Sequence, residues 1–569
     1  MTSHALRARP LARRALLPIL ALTLALQAAP AARAAVSNPS NDELAQYADQ
    51  LFSKSYPAGE PGAAVLVMKG DQVVLRKGYG MANLELGVPI QPEMVFELGS
   101  ITKQFTATAI LMLQERGKLS IEDEITKYLP DYPTHGQKIT IDHLLTHISG
   151  IPSYTGLPEW LPRVREDLTV QQLIDIFKDK PLEFNPGEKW SYNNSAYVLL
   201  GAVIEKVSGK SYEDFIEQEI FAPLGMKRSY YGHQNEVVPG RVSGYAKGED
   251  GYKIAEYLSM TQPYAAGSLM STVDDLGVWA RSGETLLKKE SVERLHTPAK
   301  LASGQSTKYA YGLGIADDGG TRIIEHGGGI FGFSTDLLRV PAQDLVVIVL
   351  SNNPGQEPGP EALAYRVARK ALGRALEDRK GMALDPATLD DYVGVYRFDK
   401  DFTRIVFREG DKLFARRSGG ETQEILALSR DDFYYPASDN RLHFQRDAQG
   451  KITGMDFLVR FGPDSAAVKT DEPLPAERQA VQVDPALFDA YAGVYELGPG
   501  FQITVTREGD RLIGQPTGQP KLEIFPASET RFFLKAVDAE IEFQRGADGK
   551  ATGLTLLQGG REIPGKRVR

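Results

Sequence analysis

Residues 97–113 read ELGSITKQFTATAILML. Ser100 follows Gly99, and Lys103 stands three positions on. Ile101, Phe105, Ala109 and Leu113 recur every fourth residue, which predicts a helix with a buried face that opens at Ser100. Residues three apart share a helix face, so the Lys103 amine is within reach of the Ser100 hydroxyl. A serine hydroxyl is a poor nucleophile until a neighbour takes its proton. A lysine titrates near ~10.4 in water, so it acts as that neighbour only when burial or another cation lowers its pKa. The helix N-terminus also favours developing negative charge. The plainer alternative is a capping serine beside an exposed lysine, and two further motifs weigh against it.

Tyr192-Asn193-Asn194 follows the turn signal Asn185-Pro186-Gly187-Glu188 and precedes the apolar run Ala196 to Ile204. Tyr192 and Asn194 are therefore expected on a loop before a buried helix, where side chains can face a cleft. A phenol can relay a proton, and an amide can hold a substrate carbonyl and the lysine together. The alternative is tyrosine packing and an asparagine cap. His326 precedes Gly327-Gly328-Gly329. Glycines without side chains let a substrate backbone lie against a strand. The Ser100 and Gly329 N–H groups are the expected pair of oxyanion donors. Gly328 would lie along the substrate, and His326 would line the cleft as a donor or cation. Nucleophile, base and donors in this order are the equipment of a serine acyl-transfer enzyme.

Around these motifs, Asn41 to Ser55 has helical spacing, with Leu44, Tyr47, Ala48 and Leu51 on one face. Ala63 to Met68 and Val73 to Gly78, joined by Lys69-Gly70-Asp71, read as a hairpin. Tyr311 to Leu313, Arg322 to Glu325, Phe333 to Val340 and Leu345 to Leu350 read as strands, and Glu361 to Leu376 as a closing helix. Strands at both ends with helices between predict one sheet built from both termini, in a domain at 35–380. His143 and His147 are spaced as zinc ligands on a helix. No Glu follows His143, so they read as structural, on a helix capped at Thr140 and ending at Ser149-Gly150. Ser271-Thr272 before Asp274-Asp275 reads as a helix cap.

The remainder repeats at an offset of 99 residues. Tyr392-Val393-Gly394-Val395-Tyr396 matches Tyr491-Ala492-Gly493-Val494-Tyr495, and Arg408-Glu409-Gly410-Asp411 matches Arg507-Glu508-Gly509-Asp510. Val406 to Arg408, Glu424 to Leu428, Phe433 to Pro436 and Leu442 to Gln445 read as strands of the first copy. Many short strands in so few residues predict a small closed barrel per copy, at 384–464 and 483–569, which removes exposed edges. Pro463 to Gln482, rich in Pro, Ala and charge, reads as the linker.

A chain of 569 residues suggests about three to four domains. Its 42% hydrophobic and 24% charged residues are ordinary for a folded protein. The net charge of -9, with no long basic run, argues against nucleic acid as a partner. With no Cys, disulfides, thiol nucleophiles and thiolate metal sites are excluded. Residues 1–34 read as an export signal: Arg7, Arg9, Arg13 and Arg14, then the apolar run Ala15 to Ala29, then Ala32-Arg33-Ala34. Its removal takes five Arg and no acids, shifting the charge from -9 to -14. A periplasmic or secreted protein without a transmembrane anchor after cleavage is expected.

The three motifs, with Leu144-Leu145-Thr146-His147-Ile148-Ser149-Gly150, Asn185-Pro186-Gly187 and Ala266-Gly267-Ser268-Leu269-Met270-Ser271-Thr272, resemble the serine β-lactamase and penicillin-binding-protein family, in its class C-like branch, over roughly 40 to 380. The resemblance implies a multidomain α+β protein: a β-lactamase-like α/β sandwich, with an antiparallel sheet, helices on both faces and a helical subdomain, followed by two lipocalin-like barrels. It implies Ser100 as acylated nucleophile, Lys103 and Tyr192 as the proton-transfer pair, and Asn194 as partner of substrate and lysine. His326 stands where the family usually has Lys in Lys-Thr-Gly, a variant similar to D-aminopeptidases and some esterases. D-aminopeptidases of this kind join the hydrolase domain to two eight-stranded barrels, and a loop of the last barrel covers the cleft; Gln515 to Lys521 is the corresponding candidate. The expected function is a serine peptidase or amidase on short peptides with D-residues, with no cofactor and no metal. A carboxylesterase, a β-lactamase or a non-catalytic binding protein are the alternatives.

Overall fold

The computed structural model describes residues 38–568 apart from 249–250, 376–380, 400–401, 419, 421, 437–439, 461, 476–479, 499–500, 518–520, 536 and 559–560. The proposed export signal lies outside the described residues.

The hydrolase segment is built on a six-stranded antiparallel sheet. Its strands are β1 (Ala63–Lys69), β2 (Gln72–Tyr79), β3 (Gly314–Asp318), β4 (Thr321–Ile330), β5 (Phe333–Val340) and β6 (Leu345–Ser351), in the order β3-β4-β5-β6-β1-β2. Strands β6 (LVVIVLS) and β1 (AAVLVMK) are near-continuous apolar runs because both of their faces are covered. Ala64 and Leu66 of β1 face a core shared with helices α2 (Thr102–Glu115) and α4 (Asn194–Ser208). Ala63, Val65 and Val67 face the opposite core, against helices α1 (Asn41–Ser55) and α5 (Pro360–Ala371). This alternation is the period of two that pleating imposes. Each outer helix presents one stripe: Leu44, Ala48 and Phe52 from α1, and Leu363, Val367 and Ala371 from α5. The α1 start is fixed by a capping box between Ser40 and Glu43.

Helix α2 departs from the expected single buried face. Twelve of its residues, Thr102 to Leu113, are buried, so it is a central strut rather than an amphipathic surface helix. Tyr311 to Leu313 is not a strand. Gly312 turns there with φ +66, and a Cβ on it would lie 2.6 Å from the Lys103 carbonyl oxygen; the strand begins at Gly314. Helix α5 stops at Ala371 rather than Leu376, followed by Gly373 at φ +68, a left-handed stop.

Residues 394–469 and 493–567 form two closed eight-stranded antiparallel barrels. The closing strand of the first, Ser465–Lys469, pairs with Gly394–Arg397 and lies beyond the boundary expected at 464. The expected linker therefore begins later than Pro463. Pro and Ala at the start of that stretch mislead, because the short strand is buried only at Ala467 while Val468 is exposed. The two barrels share one register: Arg404 pairs with Arg417 in the first, and Ile503 with Pro516, each 99 residues on, in the second. Among the described residues no helix is long and apolar enough to cross a membrane.

Candidate active site

Ser100 sits in the 3-10 turn Gly99–Ile101, which leads straight into α2. Gly99 has φ +56, and a Cβ on it would meet the Gly329 nitrogen at 2.9 Å. Glycine is thus required where the nucleophile turn presses on β4. One turn along, Lys103 is fully buried. Its Nζ donates to Ser100 Oγ at 3.1 Å, to Asn194 Oδ1 at 2.8 Å and to the Ala266 carbonyl at 2.9 Å. None of these partners is a carboxylate. Burial alone pushes the amine well below its ordinary value. An amine so placed can hold its lone pair toward Ser100 near neutral pH.

Asn193, not Asn194, caps α4, with its side chain accepting from the Ala196 N–H. That frees Asn194, the first residue of the helix, to face the lysine. Its amide nitrogen donates to Thr155 Oγ1 at 3.0 Å, which fixes the oxygen toward Lys103. The Tyr192 ring lies under the lysine, 4.8 Å from Nζ to ring centre. The Tyr192 hydroxyl is buried with no hydrogen-bond partner at normal length. Burial raises its pKa, and the nearby Ser100 hydroxyl opposes that rise. His147 packs on Tyr192 at 4.5 Å, and its Nδ1 accepts from the Asn193 N–H. This buried histidine supports the tyrosine loop. His143 instead completes a capping box with Thr140, on a helix α3 (Ile141–Leu145) that stops short of Ser149. The two histidines serve different elements.

Strand β4 continues through His326 and the glycines to Ile330. A Cβ on Gly328 would fall 1.9 Å from the Leu98 carbonyl oxygen and 2.4 Å from Thr335 Oγ1, so only glycine fits there. A Cβ on Gly329 would meet nothing within 4 Å. That position borders the cleft, with its backbone beside Gly99 and Ser100. His326 differs from expectation. Its Nδ1–H donates to the Gly327 carbonyl at 2.6 Å, and its Nε2 accepts from the Tyr309 hydroxyl at 2.8 Å. Burial, and then the Lys103 charge, lower its pKa to about 3. It is a neutral, fully engaged wall of the cleft and not a cation.

Two cavities meet at Ser100, Asn194 and Gly329. One, of about 320 Å³, is walled by Tyr154, Trp160, Leu258 and Phe331. The other, of about 510 Å³, is walled by Trp190, Tyr192, Tyr309 and His326, with Glu325 and Glu361 at its edge. Among the residues lining them none comes from the second barrel. Gln515 pairs with Thr504 and Lys521 bonds Glu508, both within that barrel, while 518–520 lie outside the described residues. The first barrel approaches instead. Arg460 reaches Glu325 and Glu361 at 2.6 Å each, Asp464 pairs with Lys308, and Gly462 lies against Trp190. Three of these contacts, at Glu325, Lys308 and Trp190, touch a residue next to, or two before, a cleft residue: His326, Tyr309 or Tyr192. Sequence reasoning missed this docking and the Ala266, Thr155 and Tyr309 contacts, since no local pattern marks a carbonyl or a distant hydroxyl as a partner.

A profile of the Beta-lactamase family matches residues 48–372, more than half of the chain. The chain belongs to the Beta-lactamase family. A second profile, a domain of unknown function (DUF3471), matches twice, over 378–470 and 477–567, the two barrels. The chain is 27% identical over 526 residues to penicillin-binding protein 4* of Bacillus subtilis (strain 168), covering 89% of this chain and 94% of that one. It is similar to the octameric penicillin-binding protein homologue from Pyrococcus abyssi, at 28% identity and a TM-score of 0.53, over 74% of this chain and 99% of the other. It shares the fold of a D-amino acid amidase from Ochrobactrum anthropi SV3, at 22% identity and a TM-score of 0.52, over 59% and 100%. The Beta-lactamase-type domain followed by two barrels bears out the expected fold class, and the protein is a serine hydrolase of this family.

Proposed function

We propose that this is an exported amidase or peptidase that cleaves short peptides containing D-residues through an acyl-enzyme on Ser100. The observation that carries the reading is the Lys103 amine, buried without a carboxylate and 3.1 Å from Ser100 Oγ. In the first step Ser100 Oγ bonds to the scissile carbonyl carbon while its proton passes to neutral Lys103. The oxyanion lies between the Ser100 and Gly329 N–H groups, worth ~10²–10³ in rate per donor. The buried Tyr192 hydroxyl relays the proton to the departing amine as the C–N bond breaks. A water then attacks the ester and restores Ser100. Asn194 holds lysine and substrate carbonyl, Gly328 lets the substrate lie along β4, and His326 shapes the wall.

A neutral His326 supplies no charge for a substrate carboxylate in this cleft, which favours peptide amides over β-lactams. Cavities on either side of Ser100 leave room for both sides of a scissile bond. A carboxylesterase would use the same nucleophile. The basic and apolar character of residues 7–34 supports export; N-terminal sequencing of the mature protein from cell fractions tests it.

The test is turnover of D- and L-alanyl nitroanilides and a short-chain nitrophenyl ester by wild type and Ser100→Ala. The expected result is D-amide turnover that disappears in Ser100→Ala, together with labelling by a fluorescent acylating probe. Full amidase activity in Ser100→Ala refutes the reading. An ester preference of ~10³ or more, about 4 kcal/mol of differential transition-state binding, replaces amidase with esterase.

A further inference from the structure

The first barrel holds a cavity of about 800 Å³ at its mouth, within the range of ~300–1,000 Å³ typical of small-molecule sites. Two arginines stand side by side on its wall. Arg404 and Arg417 are register partners, and each lies two residues beyond an inward apolar position, Val406 and Ala415. Arg404 therefore points into the barrel, and Arg417, exposed at the end of its strand, lines the cavity from the solvent side. Arg404 is 6% exposed. Its Nη1 donates to the Tyr435 hydroxyl, its plane lies 4.0 Å over the Phe457 ring, and its Nε is buried with no partner. Among the described residues neither guanidinium meets a carboxylate. A buried cation without a counter-ion is costly, and a guanidinium fork matches a carboxylate bidentately.

The second barrel supplies an internal control. At the same register positions it has Ile503, Pro516, Leu534 and Leu556 where the first has Arg404, Arg417, Tyr435 and Phe457. Ile503, Leu534 and Leu556 are buried in its core. The barrel thus closes with an apolar plug, and the first copy has a cationic, aromatic hollow instead. Its other wall is Trp190, which also lines the cleft beside Ser100. The Trp190 Nε1 is buried without a partner.

We infer that the mouth of the first barrel binds an organic carboxylate with an aromatic or apolar body, its carboxylate on Arg404 and its body between Phe457, Tyr435 and Trp190. That carboxylate is either the far end of a substrate held in the adjoining cleft or a separate small molecule.

The test is calorimetric titration of the full chain with phenylpropionate and with its neutral amide. The acid binds at least tenfold more tightly than the amide. Arg404→Ile, the residue the second barrel holds at this position, keeps the melting temperature and loses at least tenfold in affinity for the acid. If that variant does not fold, Arg404→Gln is read in the same way. Equal affinity for acid and amide, no binding of either, or an unaltered affinity in the folded variant overturns the inference. Kinetics separate the two sources. If Arg404→Ile raises KM at least tenfold for a peptide with a free C-terminal carboxylate, but not for its C-terminal amide, the site holds the substrate's end. If both KM values stay unchanged while phenylpropionate binding is lost, the ligand is a separate molecule. This kinetic arm rests on the proposed hydrolase chemistry, whereas the titration reads no turnover, so the two can fail separately.

Discussion

Replacing Asn194 by Asp changes one atom beside the base. Asn194 Oδ1 lies 2.8 Å from Lys103 Nζ, and Asp keeps an oxygen there while adding a charge. Lys103 now has only neutral partners, and burial lowers its pKa. An opposite charge at this range moves a pKa by ~1–3 units, here upward, at about 1.4 kcal/mol per unit. Below the shifted pKa, each unit removes nine-tenths of the neutral amine. On the acid limb kcat/KM is therefore expected to fall about tenfold to a thousandfold, and that limb of the pH profile to move up by ~1–3 units. Activity returns toward wild type at high pH. The assay is kcat/KM for a D-alanyl nitroanilide from pH 5 to 11, beside Asn194→Ala, which loses the contact without adding charge and so shows no upward shift. A folded Asn194→Asp protein whose acid limb stays in place refutes Lys103 as the group whose protonation controls the rate.

Three other outcomes follow from the same geometry. Tyr192→Phe removes a buried hydroxyl that bonds nothing at rest; kcat is expected to fall ~10²–10⁴-fold with no loss of melting temperature, read by kinetics and calorimetry side by side. Gly328→Ala places a methyl 1.9 Å from the Leu98 carbonyl oxygen and is expected to lose both activity and stability, whereas Gly329→Ala meets nothing within 4 Å and keeps its melting temperature. Arg460→Leu leaves Glu325, whose side chain is fully buried, without its cation, a loss of about 3–5 kcal/mol by analogy with broken buried pairs. Burial already raises the Glu325 pKa, and losing Arg460 raises it further. An acid whose folded pKa exceeds its unfolded value costs stability above the unfolded value. The deficit should thus hold steady while Glu325 is protonated in both folded proteins and widen once pH passes the raised wild-type pKa, seen as urea midpoints that diverge on the alkaline side; midpoints that stay parallel across the whole folded range would refute it.

Much of the architecture follows from short-range pattern. The period of four in α2, the Lys69-Gly70-Asp71 turn and the 99-residue repeat each depend on neighbours within one element or one copy. The encirclement of α2 does not: its polar Thr102, Gln104, Thr106 and Thr108 are buried because other segments meet them, as the Trp279 indole meets Gln104. The neutrality of His326 depends on burial and on Tyr309, seventeen positions upstream. The closing strand of the first barrel is hidden because Ala467 is its one buried side chain and its valine, Val468, faces out. The approach of the first barrel to the cleft is hidden for a like reason: Arg460 reads as a surface charge until Glu325 and Glu361 are brought beside it. Spacing exposes what a helix or a hairpin arranges, and it conceals what packing between distant segments arranges.

The sheet also sets an order of assembly. Leu66 stands opposite Ile348, so β1 waits for β6 through almost the whole hydrolase segment before that edge finds its partner. Each barrel closes far more locally, as in the pairing of Tyr396 with Lys469. Loop closure over such a span is slow, and until β6 arrives the early hairpin presents an unsatisfied, apolar border. The barrels, last off the ribosome, have the shorter loops to close, so the catalytic unit is the late finisher although it is made first.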